Sequence, residues 1–371
     1  MLEVADILRQ YGPAYLEQFA EKMPACQRRA LEDLRRCRTA ALGGHLYQCH
    51  ACGHEHYSYH SCRNRSCPKC HAGDTRSWLQ QRQTELLPVP YYHVIFTLPQ
   101  ELRAVVRRHQ KALYALVMPA AAQALLQLTA DPHYVGGRVG VLAVLHTWGS
   151  TLTYHPHVHC LVTGGGVSPD GSQWLPAREN YLVPVRALSQ LFRGIVLDRL
   201  RRQLPEFALP ASLWQKDWVV HCQPAVQGTQ TVLAYLGRYI HRVALTNSRL
   251  VAFDNGRVTF RYRDSRTGQT KTMTLAAQEF LRRFLQHVLP RGVHKVRYYG
   301  LWSPSHRDPL HRWQERLAPA PAPASAPEPP RPARPTAQEV PSPPPTHPCP
   351  YCHRGTLVCV RRLPPQGRAP P

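Results

Sequence analysis

"YHPHVHCLVTGGG" occupies residues 154–166 and sets three histidines at alternate positions before an apolar run and a glycine triplet. A period of two is the period of a β-strand, whose successive side chains point to opposite faces. His155, His157 and His159 therefore share one face, with Val158 packed behind. A single imidazole on a sheet face is an ordinary core or surface residue. Two or three side by side point to a metal ion, or to a chemical step that needs one. Spacing alone fits a surface or structural zinc pair equally well.

The flanking sequence reads as a mixed α/β body. "YYHVIFTLP" (91–99) and "GVLAVLHTWG" (140–149) are rich in β-branched and aromatic residues and predict strands. Helices are expected over 2–41 (two of them), 72–88, about 100–130, 186–203, 229–243 and 275–289. A strand is expected at 218–223. "RLVAFDNGRVTFRYRD" predicts a hairpin turning at Asp254-Asn255-Gly256. The stretch 112–130 is uncharged and nearly long enough to cross a membrane. Pro119, Gln123, Gln127 and its alanine content favour a helix packed on a sheet instead. The N-terminus "MLEVADILRQYG" carries acids and lacks the apolar core of a signal peptide.

The chain has 371 residues, with 46 Lys and Arg against 23 Asp and Glu, a formal net charge of +23. That excess fits a polyanionic partner, most often nucleic acid. A basic ribosome-associated protein is the plain alternative. Between Ala318 and Pro348 proline and alanine dominate, the composition of an extended linker.

The twelve cysteines are grouped rather than scattered, as in metal sites of a reducing compartment. Cys49-x-x-Cys52 and Cys67-x-x-Cys70 are two knuckles, each able to place two thiolates on one tetrahedral ion. Together they predict a closed, structural zinc site. Cys62 is a fifth candidate, and several histidines nearby allow a mixed ligand set. Arg63, Arg65 and Lys69 lie inside the loop as candidates for phosphate contact, or simply as solubilising charge. The tail, "HPCPYCHRGTLVCVRRL", resembles half a zinc ribbon: Cys349-x-x-Cys352, with Cys359, His347 and His353 close by. It reads either as a ligand set completed by histidine or as a remnant.

"VLAYLGRYIHRVALTNSRL" places Tyr235 and Tyr239 four apart on one face of an expected helix, beside Arg238, His241 and Arg242. Such a pair is ordinarily core packing. A phenol titrates near 10 and attacks phosphorus only with help from a neighbouring cation and a polarised phosphate.

Taken together these stretches resemble a known family. A histidine–apolar–histidine triplet on a strand, followed by Y-x-x-x-Y on a helix, is similar to the HUH endonuclease superfamily. With "SCRNRSCPKC", "VIFTLPQELR" and "FLQHVLPRGVHKVRYYGLWS" included, residues 10–305 resemble the two-tyrosine rolling-circle transposases of bacterial insertion sequences. The resemblance implies an α+β fold with a central antiparallel sheet flanked by helices. A small helical and zinc-knuckle domain would precede it, and a disordered proline-rich linker would follow. It implies domains at 1–90 (zinc-binding), 91–305 (catalytic), 306–348 (linker) and 349–371 (tail). It implies Tyr235 and Tyr239 as nucleophiles and His157 and His159 as ligands of a catalytic Mg²⁺ or Mn²⁺. His155, His146 and His241 stand as alternatives for a third ligand. Cys49, Cys52, Cys67 and Cys70 would hold Zn²⁺, and Arg63, Arg65, Lys69, Arg238 and Arg242 would contact DNA.

The implied partners are single-stranded DNA at the element's ends and target DNA. The implied setting is the bacterial cytoplasm and nucleoid, without a membrane. The implied reaction is cleavage and rejoining through a 5′-phosphotyrosine. The alternatives are a non-enzymatic zinc-dependent DNA-binding protein, a metal phosphoesterase that uses water, and an HUH relaxase or replication initiator. No helicase-like P-loop accompanies the nuclease motifs, and the cysteine module precedes them, which favours transposition.

Overall fold

A computed structural model describes residues 2–70, 80, 84–225, 244–264, 266–318 and 347–366. The chain forms two bodies, Met1–Leu31 with Arg65–Ala318, and Glu32–Asn64 with Pro319–Pro371. In chain order the elements begin α1 (Val4–Phe19), α2 (Ala25–Arg36), β1 (Gly44–Cys49), β2 (Glu55–Tyr59), β3 (Tyr91–Thr97), α3 (Arg103–Arg108) and α4 (Gln110–Ala130). Next come β4 (Arg138–Trp148), β5 (Tyr154–Val167), β6 (Trp174–Pro176), α5 (Val185–Gln203), α6 (Ser212–Gln215) and β7 (Val220–Pro224). The remainder are β8 (Leu250–Asp254), β9 (Arg257–Arg263), β10 (Thr270–Ala276), α7 (Ala277–Leu285), β11 (Val296–Gly300), α8 (Arg307–Leu317), β12 (His347–Pro348) and β13 (Thr356–Leu363).

The larger body is built on an antiparallel sheet ordered β11-β4-β5-β3-β7, with β6 paired to the end of β5. The histidine stretch thus lies on the central strand. One face of the sheet is continuously apolar. Val94 and Phe96 of β3, Val141, Ala143 and Leu145 of β4, and Val158, Cys160 and Val162 of β5 are all buried there under α4 and α5. Helix α5 is amphipathic: Leu188, Phe192 and Val196 recur every four residues and are buried. Phe192 packs on Phe96 and Trp218, at 4.7 and 5.6 Å between ring centres. Helix α4 is buried on nearly all sides, which explains its uniform apolarity. It is long and apolar enough to cross a membrane, yet 61% of its most apolar window lies inside the protein.

The opposite face of the sheet is divided. Tyr91, Leu142, Val144 and Leu161 occupy one end, in a second core with Trp302, Leu310 and Trp313. The histidines occupy the other end. A separate three-stranded sheet, β10-β9-β8, contains the expected hairpin. Its turn uses Asn255 at φ 47° and Gly256 at φ 71°, the pair of left-handed residues that a tight hairpin requires.

The α+β class and the antiparallel central sheet agree with expectation. Strands β1, β2, β6, β10, β11, β12 and β13 are not anticipated by the sequence patterns. The helix expected at 229–243 and most of that at 72–88 lie outside the described residues. The smaller body holds a four-stranded antiparallel sheet, β12-β13-β1-β2, in which the C-terminal tail supplies two strands.

Candidate metal centre and nucleic-acid interface

On β5, His157 lies opposite His146 of β4, while His159 lies between Val144 of β4 and Ile95 of β3. Strand alternation puts His157 and His159 on one face, and the antiparallel register brings His146 to them. One ring nitrogen from each of the three lies within 4.8 Å of the other two. His157 Nε2 and His159 Nε2 are 3.0 Å apart.

Each ring is oriented by a neighbour. His157 Nδ1 donates to the carbonyl oxygen of His155 at 2.7 Å. A carbonyl only accepts, so this bond places the proton on Nδ1 and leaves the Nε2 lone pair toward the cluster. His159 Nδ1 meets His93 Nε2 of β3 at 2.9 Å, with the two rings nearly parallel. His146 is buried and stacks on Trp148 at 4.5 Å, and the Lys295 ammonium sits over that indole at 5.1 Å. Burial pulls His157 down to about 4, and it does the same to His93. Both are neutral at physiological pH, the state in which imidazole binds metals.

Three imidazole nitrogens are a donor set for a divalent transition-metal cation, and Mn²⁺ accepts imidazole more readily than Mg²⁺, which prefers oxygen. Of the alternative third ligands, His146 joins the group. His155 instead accepts a hydrogen bond from Arg103 Nη2 at 3.1 Å, and burial lowers its pKa, followed by the charge of Arg103. His241 lies outside the described residues, as do Tyr235, Tyr239, Arg238 and Arg242.

Beside Arg103 opens a cleft of about 600 Å³ lined by Arg103, Ala104, Arg107, Arg108 and Tyr154. Three guanidiniums on one short helix give this cleft a cationic lining, the chemistry that suits phosphate. Tyr154 is no rival nucleophile: its hydroxyl is bonded to that of Tyr114 at 2.5 Å, and burial pushes it up to about 12. The sequence reading overlooked both this row and His93. Their signals were the arginines of "ELRAVVRRHQ" on one helix and a lone histidine inside an apolar strand.

The other expected DNA contacts divide. Arg65 donates to three backbone carbonyls, of Val293 at 2.6 Å, Leu289 at 2.5 Å and Pro290 at 2.7 Å. Lys69 pairs with Glu3 at 2.5 Å. Both cations are thus bonded within the protein, although Arg65, like Arg63, is exposed. Of four aromatic residues whose faces could stack on bases, Tyr91, Tyr92 and Trp302 are buried, and Trp148 flanks the histidines.

Of the expected quartet of Cys49, Cys52, Cys67 and Cys70, the first two group instead with cysteines of the tail. Cys49 Sγ is 3.7 Å from Cys352 Sγ, and Cys52 Sγ is 3.9 Å from Cys349 Sγ. Pairing of β13 with β1 carries the tail's knuckle to the end of β1, a junction across about three hundred residues that local spacing does not encode. Cys67 and Cys70 belong to the larger body, the first buried and the second half-buried.

A transposase family matches residues 140–309, and the transposase zinc-binding domain of the IS91 type matches residues 7–98. A transposase of Sinorhizobium fredii, y4qJ, is 40% identical over 96% of this chain and 94% of its own length. The transposase for insertion sequence element IS801 of Pseudomonas savastanoi pv. phaseolicola is 31% identical over 71% of this chain and 67% of its own. No solved structure matches.

Proposed function

We propose that this chain, which belongs to the transposases of IS91-type insertion sequences, cuts and rejoins single-stranded DNA through a tyrosine-linked intermediate. The observation that carries the reading is the convergence of His146, His157 and His159 at one end of an otherwise apolar sheet. His146, His157 and His159 would hold a divalent ion, preferably Mn²⁺, which when bound polarises the scissile phosphate. The His155 carbonyl keeps His157 in the ligating tautomer, and the His93 ring orients His159. Arg103, Arg107 and Arg108 bind the backbone on either side of the cut.

The phenol oxygen of Tyr235 or Tyr239 attacks phosphorus in line. The bond to the 3′ oxygen breaks, leaving a 5′-phosphotyrosine and a free 3′-hydroxyl. The phenol's proton passes to water or to the departing oxygen. The new ester preserves the phosphodiester bond's energy, so rejoining to a second strand needs no nucleotide cofactor. The second tyrosine takes the next strand. Arg238 and Arg242 are proposed to stabilise phosphate beside the nucleophiles, and Arg63 to contact DNA near the zinc module. The matched zinc-binding segment is assigned a structural Zn²⁺ of its own. The proposed setting is the bacterial cytoplasm.

Incubation with a single-stranded oligonucleotide bearing the element's end, plus Mn²⁺, should give a covalent protein–DNA species on a denaturing gel. The species should vanish in the Tyr235→Phe, Tyr239→Phe double variant and in His157→Ala. Cleavage without an adduct would transfer the reading to a water-using phosphoesterase. Binding without cleavage would transfer it to a DNA-binding protein.

A further inference from the structure

The reaction above makes no use of the tail's cysteines, and the matched zinc-binding segment ends well before them. Yet Cys49, Cys52, Cys349 and Cys352 bring their sulfurs within 4.8 Å of one another. A tetrahedral zinc with metal–sulfur bonds of about 2.3 Å has sulfur–sulfur edges of about 3.8 Å. The closest approaches here, 3.7 and 3.9 Å, match that edge. They are too long for a disulfide, whose sulfurs are about 2.05 Å apart.

The two halves of the cage are built alike. The N–H of Gly53 donates to the Cys49 carbonyl at 2.9 Å, and the N–H of His353 donates to the Cys349 carbonyl at 3.1 Å. Cys49 N–H then bonds the His54 carbonyl, as Cys349 N–H bonds that of Gly355. In each knuckle the residue after the second cysteine is left-handed: Gly53 at φ 71° and His353 at φ 55°. A histidine rarely adopts that conformation unless its surroundings hold it there. Gly355 allows the close approach, since a Cβ there would lie 2.5 Å from Cys49 Sγ.

The surrounding sheet has little else to stabilise it. Strands β1 and β2 alone would be a two-stranded hairpin, which is marginal in water. Strand β13 adds a third strand along Gly44–Cys49, but its Val358 and Val360 are exposed, as is Tyr57 of β2. Small sheets with so thin a core fold on a metal or a disulfide.

We propose that the C-terminal tail completes a structural zinc site, Cys49–Cys52–Cys349–Cys352, and that this ion clasps the tail to strand β1. The proposal is independent of the nuclease chemistry. The test inserts a protease site within the proline-rich segment 319–346 of the full chain and leaves every ligand intact. After cleavage in Zn²⁺ buffer the tail fragment should co-elute with the rest on gel filtration. A strong chelator should release it, and added Zn²⁺ should recapture it. In the uncut protein, the Cys349→Ser, Cys352→Ser double variant should carry one zinc fewer per chain by elemental analysis, and His347→Ala should carry the full amount. Tail release in zinc buffer, retention after chelation, or an unchanged zinc content in the cysteine variant would each overturn the proposal.

Discussion

His287, just past α7, offers a quantitative test of how the floor of the histidine site is held. Its ring is 7% exposed and bridges two segments beside that site. Nε2 donates to the Leu152 carbonyl at 3.1 Å, and Nδ1 accepts from the Thr147 hydroxyl at 3.2 Å. Thr147 follows His146, and Leu152 lies in the β4–β5 connection. Burial lowers the folded-state pKa to about 4, against about 6.5 in an unfolded chain. Between those values the unfolded state binds more protons than the native state, so stability rises with pH and is lost on acidification. Integrating the linkage relation, His287 contributes roughly 1 kcal/mol less at pH 5.5 than at pH 7.5, and roughly 2–3 kcal/mol less at pH 4.5. The perturbation is His287→Gln, which retains a donor and removes the titration. Urea unfolding of both chains at the two higher pH values supplies the difference in stability. Contributions from His93, His155, His157 and the thiols are common to both chains and cancel. The parent's advantage should shrink by roughly 1 kcal/mol on going to pH 5.5, with m unchanged. An advantage that stays constant with pH would refute the buried, neutral assignment of this ring.

Other outcomes follow from the same geometry. His93→Leu should weaken Mn²⁺ binding by about 10–100-fold, read from free-ion electron paramagnetic resonance, because His159 loses the partner that orients it; unchanged affinity would remove His93 from that role. Arg107→Ala should weaken oligonucleotide binding for all sequences alike and reduce the salt slope by about 1, whereas Arg65→Ala, whose cation is bonded to carbonyls, should leave that slope unaltered. Gly300→Ala should destabilise the protein by about 2–4 kcal/mol: the residue sits at φ 62°, and a Cβ there would collide with the Val139 carbonyl oxygen on the neighbouring strand. Gly292→Ala, at φ 82° in open space, should cost only about 1–2 kcal/mol in urea unfolding, and equal costs at the two positions would contradict the clash.

What the sequence determined unaided was local. The two-residue period of "HPHVH" placed His157 and His159 on one face, and strand β5 carries them there. Asn255-Gly256 specified the hairpin turn, and the apolar run of residues 112–130 proved to be a core helix. Each of these rests on interactions among near neighbours in the chain. The tertiary structure decided the pairings across distance. His146 and His93 reach the site only because β4 and β3 flank β5 in one particular register. Strand β11, polar enough to pass unnoticed, becomes an edge of the sheet by pairing with β4. The cysteines show the division most plainly. Spacing identified knuckles, but it could not say which knuckles meet. That was settled when β13 paired with β1, because strand pairing between remote segments is governed by packing and hydrogen-bond register, quantities that no local window of sequence contains.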